Sequence, residues 1–258
     1  MIEAQSVSLT IGTANLVDRV DVTIAPGRVT AILGPNGAGK SSLLSLLAGE
    51  RKPSGGQVSL SSKPLSQWRA NDLARRRAVV PQSAQLAFPF TVEQVVRLGF
   101  ALTPPPPKQR ADIVAQAMAE ADITHLRDRP LPTLSGGERQ RTHFARALAQ
   151  LAANDDGQPA YLLLDEPTAS LDPAHQHGLL ASLRSWVRRT NGGAAVVLHD
   201  LTLAARYAQD VLLLSHGKVA AQGAMADLEG AVLERVYGIG FDRLTDSAGQ
   251  ALYVARGL

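Results

Sequence analysis

The chain of 258 residues contains no cysteine. That excludes disulfide frameworks, cysteine metal sites and thiol catalysis together. No apolar run approaches the roughly 20 residues that a membrane-spanning helix needs, and the opening stretch MIEAQSVSLT lacks the pattern of a secretory leader. A soluble protein in the cytoplasm is therefore expected, with docking on a membrane-bound partner still open. Charge of one sign is also scarce. The 26 basic and 23 acidic residues leave a net +3, too little to argue for nucleic acid. The one dense basic run, Arg75–Arg76–Arg77, reads as a solvated strand start or a helix C-terminus before it reads as a polyanion site. Apolar residues are 45% of the chain and charged residues 19%. A sizeable core follows, and global disorder is excluded. The length suits one large domain, or one core with a second small lobe.

The first 32 residues alternate. Val7, Leu9 and Ile11 share one face, then Val20, Val22 and Ile24 share another, with Pro26–Gly27 as a turn. An antiparallel β region is expected, feeding a strand at Val29–Leu33. A glycine-rich turn, Gly34–Gly39, and an apolar helix from Lys40 to about Leu47 come next. A second strand, Arg77–Val80, ends at Pro81–Gln82. From Phe90 to about Leu151 the periodicity is mostly helical: Val92, Val95 and Val96 form one face, and Ile113, Ala117 and Ala121 another. Pro104–Pro107 reads as a stiff polyproline linker. Strands return at Tyr161–Leu164, Ala195–Leu198 and Val211–Leu214. Their near-continuous apolar runs fit parallel strands covered on both faces. The reading is an α/β core formed by residues 1–83 and 155–223, interrupted by a helical insertion at 84–154. An extension follows at 224–258, as a regulatory tail or a packing element.

Gly34–Pro35–Asn36–Gly37–Ala38–Gly39–Lys40–Ser41 matches G-x-x-x-x-G-K-[ST] in full. Its glycines permit turns that a Cβ would forbid. Successive N–H groups, continuing to Ser42, can then form an anion nest at the N-terminus of the next helix. In such a nest Lys40 reaches the β and γ phosphates, and the Ser41 hydroxyl ligates Mg²⁺. Leu162–Leu163–Leu164–Asp165–Glu166 supplies a buried strand that delivers Asp165 to the metal and Glu166 to an attacking water. Two acids side by side at an apolar strand tip are costly unless a cation sits there. Leu134–Ser135–Gly136–Gly137–Glu138 precedes a helix running from Glu138 to about Leu151. Alone it would be an ordinary cap. About 30 residues before the acid pair, in a chain with the phosphate loop, Ser135, Gly136 and Gly137 read as a second anion-binding helix N-terminus.

With these three stretches in order, the sequence resembles the ATP-binding cassette family. Its defining motif is LSGGQ, with Glu138 here in the last place. The resemblance spans residues 1–222 and implies a P-loop NTPase, RecA-like core that hydrolyses ATP. It implies that Gln82 contacts the metal and the attacking water, that Pro167–Asp172 forms the D-loop, and that His199 contacts the γ-phosphate. The family usually stacks adenine on an aromatic residue of the N-terminal strand. Ile11 stands at that place, so stacking gives way to weaker apolar contact. The resemblance further implies a homodimer burying two ATP molecules, each between the phosphate loop of one subunit and Ser135–Gly137 of the other. Glu166 is then the base, and Asp172 lies at the dimer seam.

Within the family, Val80–Ser83, Leu86–Glu93, Leu171–His177 and the spacer Asn154–Pro159 resemble the iron-chelate and haem importer branch. That implies two copies of the chain at the cytoplasmic face of the inner membrane, on two permease copies fed by a periplasmic haem-binding protein. A ferric siderophore or cobalamin importer stands as the alternative. A cassette of DNA repair would need a long coiled coil, and a translation factor would carry two cassettes per chain. His175 and His177, two residues apart, do not share a helix face and read as a solvated helix start. Phe88–Pro89–Phe90–Thr91 is placed either to meet the permease or to pack locally.

Overall fold

The computed structural model describes residues 1–82, 88–154, 156–247 and 249–256. The expected subdomain borders at 84 and 155, and Ser83, Leu86 and Ala87 of the branch-like stretch, lie outside them.

β1 (Ile2–Ile11) and β2 (Ala14–Ile24) form an antiparallel hairpin. Val7, Leu9, Val20, Val22 and Ile24 are buried as the alternation predicts, but Ile11 is 49% exposed. Register shifts between Val7 and Thr10 change the phase of the pleat, and the hairpin tip runs past the core. β3 (Val29–Leu33) is buried along its whole length, and α1 (Lys40–Leu47) follows with the predicted bounds. β4 (Gly55–Leu60) joins β1 antiparallel and carries β5 (Lys63–Pro64) at its edge. Next come α2 (Ala70–Ala74) and β6 (Arg77–Val80). Arg75 caps the end of α2, Arg77 opens β6, and Arg76 makes a two-pronged bond to Asp156 at 2.6 and 2.8 Å.

The helical insertion holds α3 (Val92–Arg97), α4 (Pro107–Glu120) and α5 (Gly136–Ala152). Pro107 corrects the reading of a polyproline linker. It is the first residue of α4, a position where its missing N–H costs nothing. α5 also begins earlier than expected, at Gly136, because Ser135 and Glu138 close a capping box before it. The remaining elements are β7 (Tyr161–Leu164), α6 (Pro173–Thr190), β8 (Gly193–Val197), α7 (Leu201–Tyr207), β9 (Asp210–Ser215), β10 (Lys218–Ala224), α8 (Gly230–Tyr237), β11 (Phe241–Thr245) and β12 (Ala251–Ala255).

The central sheet runs β10-β9-β3-β8-β7-β6. All neighbours in it are parallel except β10, which returns antiparallel along the β9 edge. One core lies between this sheet, α1 and the antiparallel sheet β2-β1-β4-β5. The other lies on the opposite face, under α5, α6, α7 and the helical insertion. Burial on both faces is what demanded the uninterrupted apolar runs of β3, β7, β8 and β9. Among the described residues no helix is long and apolar enough to cross a membrane.

Candidate active site

Parallel pairing decides where the polar residues go. β3, β8, β7 and β6 point the same way and are in register, Ile32 beside Val197, Val196 beside Leu164, Leu164 beside Val80. The residues that follow each strand therefore emerge on one edge of the sheet. They are Gly34–Gly39 after β3, His199 after β8, Asp165–Glu166 after β7 and Gln82 after β6. Open α/β sheets bind ligands at that edge.

At the tip of β7, Asp165 Oδ1 accepts a 2.9 Å bond from Ser41 Oγ, joining the strand to the first turn of α1. Glu166 follows at φ +47°, a left-handed backbone that a glutamate adopts only under constraint. Gln82 Nε2 donates to Glu166 Oε2 at 2.8 Å, and His199 Nε2 lies 2.7 Å from Oε1. The side chains of Gln82, Asp165, Glu166, His199 and Ser41 thus form two joined groups at the sheet edge.

Lys40 is 5% exposed, and its Nζ donates to the carbonyls of Gly34 at 2.8 Å and Pro35 at 3.0 Å. Burial pulls its ammonium below the ordinary lysine value, opposed by the nearby Glu166 and Asp165 carboxylates. Burial likewise raises the Asp165 carboxyl, while the Ser41 hydroxyl and Lys40 pull it down and Glu166 pushes it up. A cation placed there would favour the ionised form. Ser41, Asp165 and the Gln82 amide offer hard oxygen donors, and the described residues hold no group of three or more acids or histidines fit to cage a metal alone. That combination suits Mg²⁺, which keeps water and phosphate oxygens among its ligands.

A cavity of about 200 Å³ opens over the loop, lined by Leu16, Asn36, Gly37, Ala38, Gly39, Lys40, Ser41, Ser42 and Glu166. The predicted loop residues from Asn36 to Ser42 all border it; Gly34 and Pro35 lie behind, as the acceptors of Lys40. The sequence patterns do not point to Leu16. The β hairpin folds back over the loop so closely that a Cβ on Gly39 would stand 2.3 Å from the Leu16 carbonyl. No local pattern announces this, because the approach is set by the packing of two sheets. Ser135, Gly136 and Gly137 do not line this cavity. The Ser135 hydroxyl accepts from Glu138 N at 3.2 Å, and the Glu138 carboxylate accepts from Ser135 N at 2.7 Å. Gly136 and Gly137 press on the turn before α6, where added Cβ atoms would stand 3.2 Å from the Ser170 side chain and 2.8 Å from that of Leu171. Asp172 caps α6 by accepting from His175 N at 3.0 Å, and the His175 ring lies 2.8 Å from the same carboxylate. His177 corrects the solvated reading: its Nδ1 lies 2.8 Å from the Tyr207 hydroxyl, in a half-buried contact.

The model of the ABC transporter family matches residues 17–169. The hemin import ATP-binding protein HmuV of Pseudomonas entomophila is 46% identical over 242 residues, covering 93% of both chains. A structure described as an inward-facing conformation of a putative metal-chelate type ABC transporter aligns over 99% of this chain and 97% of its own, with a TM-score of 0.81 at 24% identity. A dimeric bacterial ABC transporter cassette aligns over 87% of this chain and 99% of its own, with a TM-score of 0.74 at 24% identity. With the family model matched over residues 17–169 and a relative 46% identical over 93% of both chains, the chain belongs to the ABC transporter family as one of its nucleotide-binding ATPases.

Proposed function

We propose that this chain is the ATP-hydrolysing subunit of a haem importer. It works as a homodimer on two permease copies at the cytoplasmic face of the inner membrane, with a periplasmic haem-binding protein delivering the substrate. The substrate reading is supported by the hemin import proteins that the chain matches over nearly its whole length. Residues 1–83 and 155–223 serve as the ATP-binding core, 84–154 as the arm that meets the permease, and 224–258 as an extension. On that arm Phe88, 68% exposed and edge-on to Phe90, offers an apolar contact for the permease.

The observation that carries the ATPase reading is the Glu166 carboxylate held between Gln82 and His199 beside the phosphate loop. ATP lays its phosphates along the N–H groups of Asn36–Ser42, where the first turn of α1 has no intrahelical acceptors. Lys40 turns from the Gly34 and Pro35 carbonyls to the β and γ phosphates. Ser41, Asp165 and Gln82 would hold Mg²⁺, which when bound neutralises charge on the phosphate oxygens. Glu166 accepts the proton of the attacking water, with Gln82 and His199 fixing its carboxylate. Exposed Ile11 gives the base an apolar contact without stacking. The cavity over the loop has no wall from Ser135–Gly137 of the same chain. A second copy supplies that wall in a two-fold pair, with Asp172 at the seam.

Glu166→Gln should leave ATP binding intact and lower turnover by about a hundred-fold or more; normal turnover would refute the base. Deletion of the gene should abolish growth on haem as sole iron source. Loss of siderophore or cobalamin uptake instead would reassign the substrate.

A further inference from the structure

Gly34 is buried one residue past the last pairs of β3, Ile32 with Val197 and Leu33 with Leu213. Its N–H lies beyond the sheet ladder in a buried residue, so it needs another acceptor. That acceptor is the hydroxyl of Tyr237, 3.0 Å away on α8 and 203 positions later in the chain. The carbonyl of the same residue accepts from Lys40 Nζ at 2.8 Å. Gly34 is therefore held on its N–H by the C-terminal extension and on its carbonyl by the lysine that must turn toward phosphate.

The extension is anchored again at the other side of the site. Tyr253 N on β12 donates to Thr202 Oγ1 at 3.2 Å, and Thr202 stands in the first turn of α7, directly after His199 and Asp200. Arg206, farther along α7, bonds Asp246 at 2.5 Å. Tyr237 and Phe241 pack edge to face, with ring centres 5.7 Å apart, and Leu233 is fully buried in the main core. α8, Asp246 and β12 thus touch the phosphate loop at one point and the helix behind His199 at two others.

We infer that Tyr237 is a positioning residue for nucleotide, acting through Gly34, and that the C-terminal extension is a strut holding the phosphate loop in its binding shape. The inference rests on the ATPase reading above. Without the hydroxyl acceptor, the Gly34 peptide can relieve its unpaired N–H by turning, and the loop is correctly shaped in a smaller fraction of free molecules. Apparent affinity falls by that fraction. Once ATP is bound, its phosphates hold the loop, so the chemical step is left unchanged.

The test uses the full chain carrying Tyr237→Phe, which keeps the ring and its contact with Phe241. The Kd for a fluorescent ATP analogue and the KM for ATP should rise about ten-fold, the factor for one ordinary buried hydrogen bond, with kcat within about two-fold. Amide exchange should quicken in the peptide covering residues 33–40 and stay unchanged in α6. Unchanged Kd and exchange overturn the inference, as does a fall in kcat at constant KM. Should Tyr237→Phe not fold, Phe241→Leu loosens the seat of the same ring and should shift KM in the same direction by less; an unchanged KM there also overturns it. Wild type and Lys40→Ala are measured alongside. Nucleotide binding by the first and its loss in the second check the ATPase reading separately, and a wild type that binds no nucleotide overturns both.

Discussion

Glu166 Oε2 accepts a 2.8 Å bond from Gln82 Nε2, a residue 84 positions earlier, while His199 Nε2 lies 2.7 Å from the other oxygen. Adjacent strands make this possible, since β6, β7 and β8 deliver the three residues to one edge. The three side chains are in direct contact as one group, so their losses should not add. Gln82→Ala and His199→Ala should each lower kcat by at least about ten-fold, and the double variant should be little worse than the poorer single. Steady-state hydrolysis at saturating ATP measures this; fully additive losses would mean that the two residues act separately.

The phosphate loop should tolerate a methyl group at one glycine and not at another. Gly34 sits at φ +143°, and an added Cβ would stand 2.3 Å from the Leu214 carbonyl, a backbone atom that cannot give way. Gly37 also has positive φ, +78°, but open space around the Cβ direction. Gly34→Ala should abolish nucleotide binding and lower Tm sharply. Gly37→Ala should cost only about 1 kcal/mol of stability, the penalty of left-handed backbone for a non-glycine residue. Thermal melts with and without ATP compare them, and equal effects would contradict the backbone clash as the cause.

Asp165 stands at the site at some cost to the fold. Burial raises its carboxyl above the ordinary value, so the charged form is disfavoured in the folded chain at any pH above the unfolded value. Asp165→Asn should therefore stabilise the metal-free, nucleotide-free protein by roughly 1 kcal/mol, read as a higher Tm, while removing the magnesium dependence of nucleotide binding. Calorimetry in a chelating buffer and titrations with and without Mg²⁺ check both halves; a lower apo Tm would contradict the burial argument.

The candidate site residues are legible in the sequence where they fall in short spacings: the phosphate loop, the acid pair after an apolar strand, the Ser-Gly-Gly-Glu turn. Strand bounds of β3, β6 and β7 are legible for the same reason, as buried runs ended by turn residues. What escapes the sequence are contacts made by packing between distant segments. Leu16 reaches the loop cavity only because the hairpin folds over Gly39, and Tyr237 meets Gly34 only because α8 returns to β3. Alternation places Ile11 with Val7 and Leu9, and the irregular register of β1 moves it outside. The proline run before it hides the part played by Pro107, whose place at the first turn of α4 decides its role.

In the helical insertion, Glu93 accepts from Arg97 one turn on and from Arg127 across the loop, at 2.6 and 2.7 Å. The hydrogen bonds from Arg127 and then Arg97 lower its carboxyl from the ordinary 4.5 to about 2. A depressed folded value means that the contribution is complete above pH 4.5 and is lost as pH falls through about 2. Both arginines are more than one-third exposed, and solvent screening reduces the worth of the cluster. Glu93→Gln should destabilise the protein by about 1 kcal/mol at pH 7, and the difference from wild type should vanish toward pH 2. Urea melts across that range measure it; a difference constant with pH would contradict the charge origin.

The proposed nucleotide site is shared between two copies of the chain. Heterodimers carrying Lys40→Ala in one protomer and Ser135→Arg in its partner place both lesions in the same shared site and leave the second site whole. The same two lesions in one protomer, beside a wild-type partner, damage both sites. Counting ATP trapped per dimer, in a Glu166→Gln background, should give about one in the first arrangement and almost none in the second; equal trapping in the two would contradict the shared site.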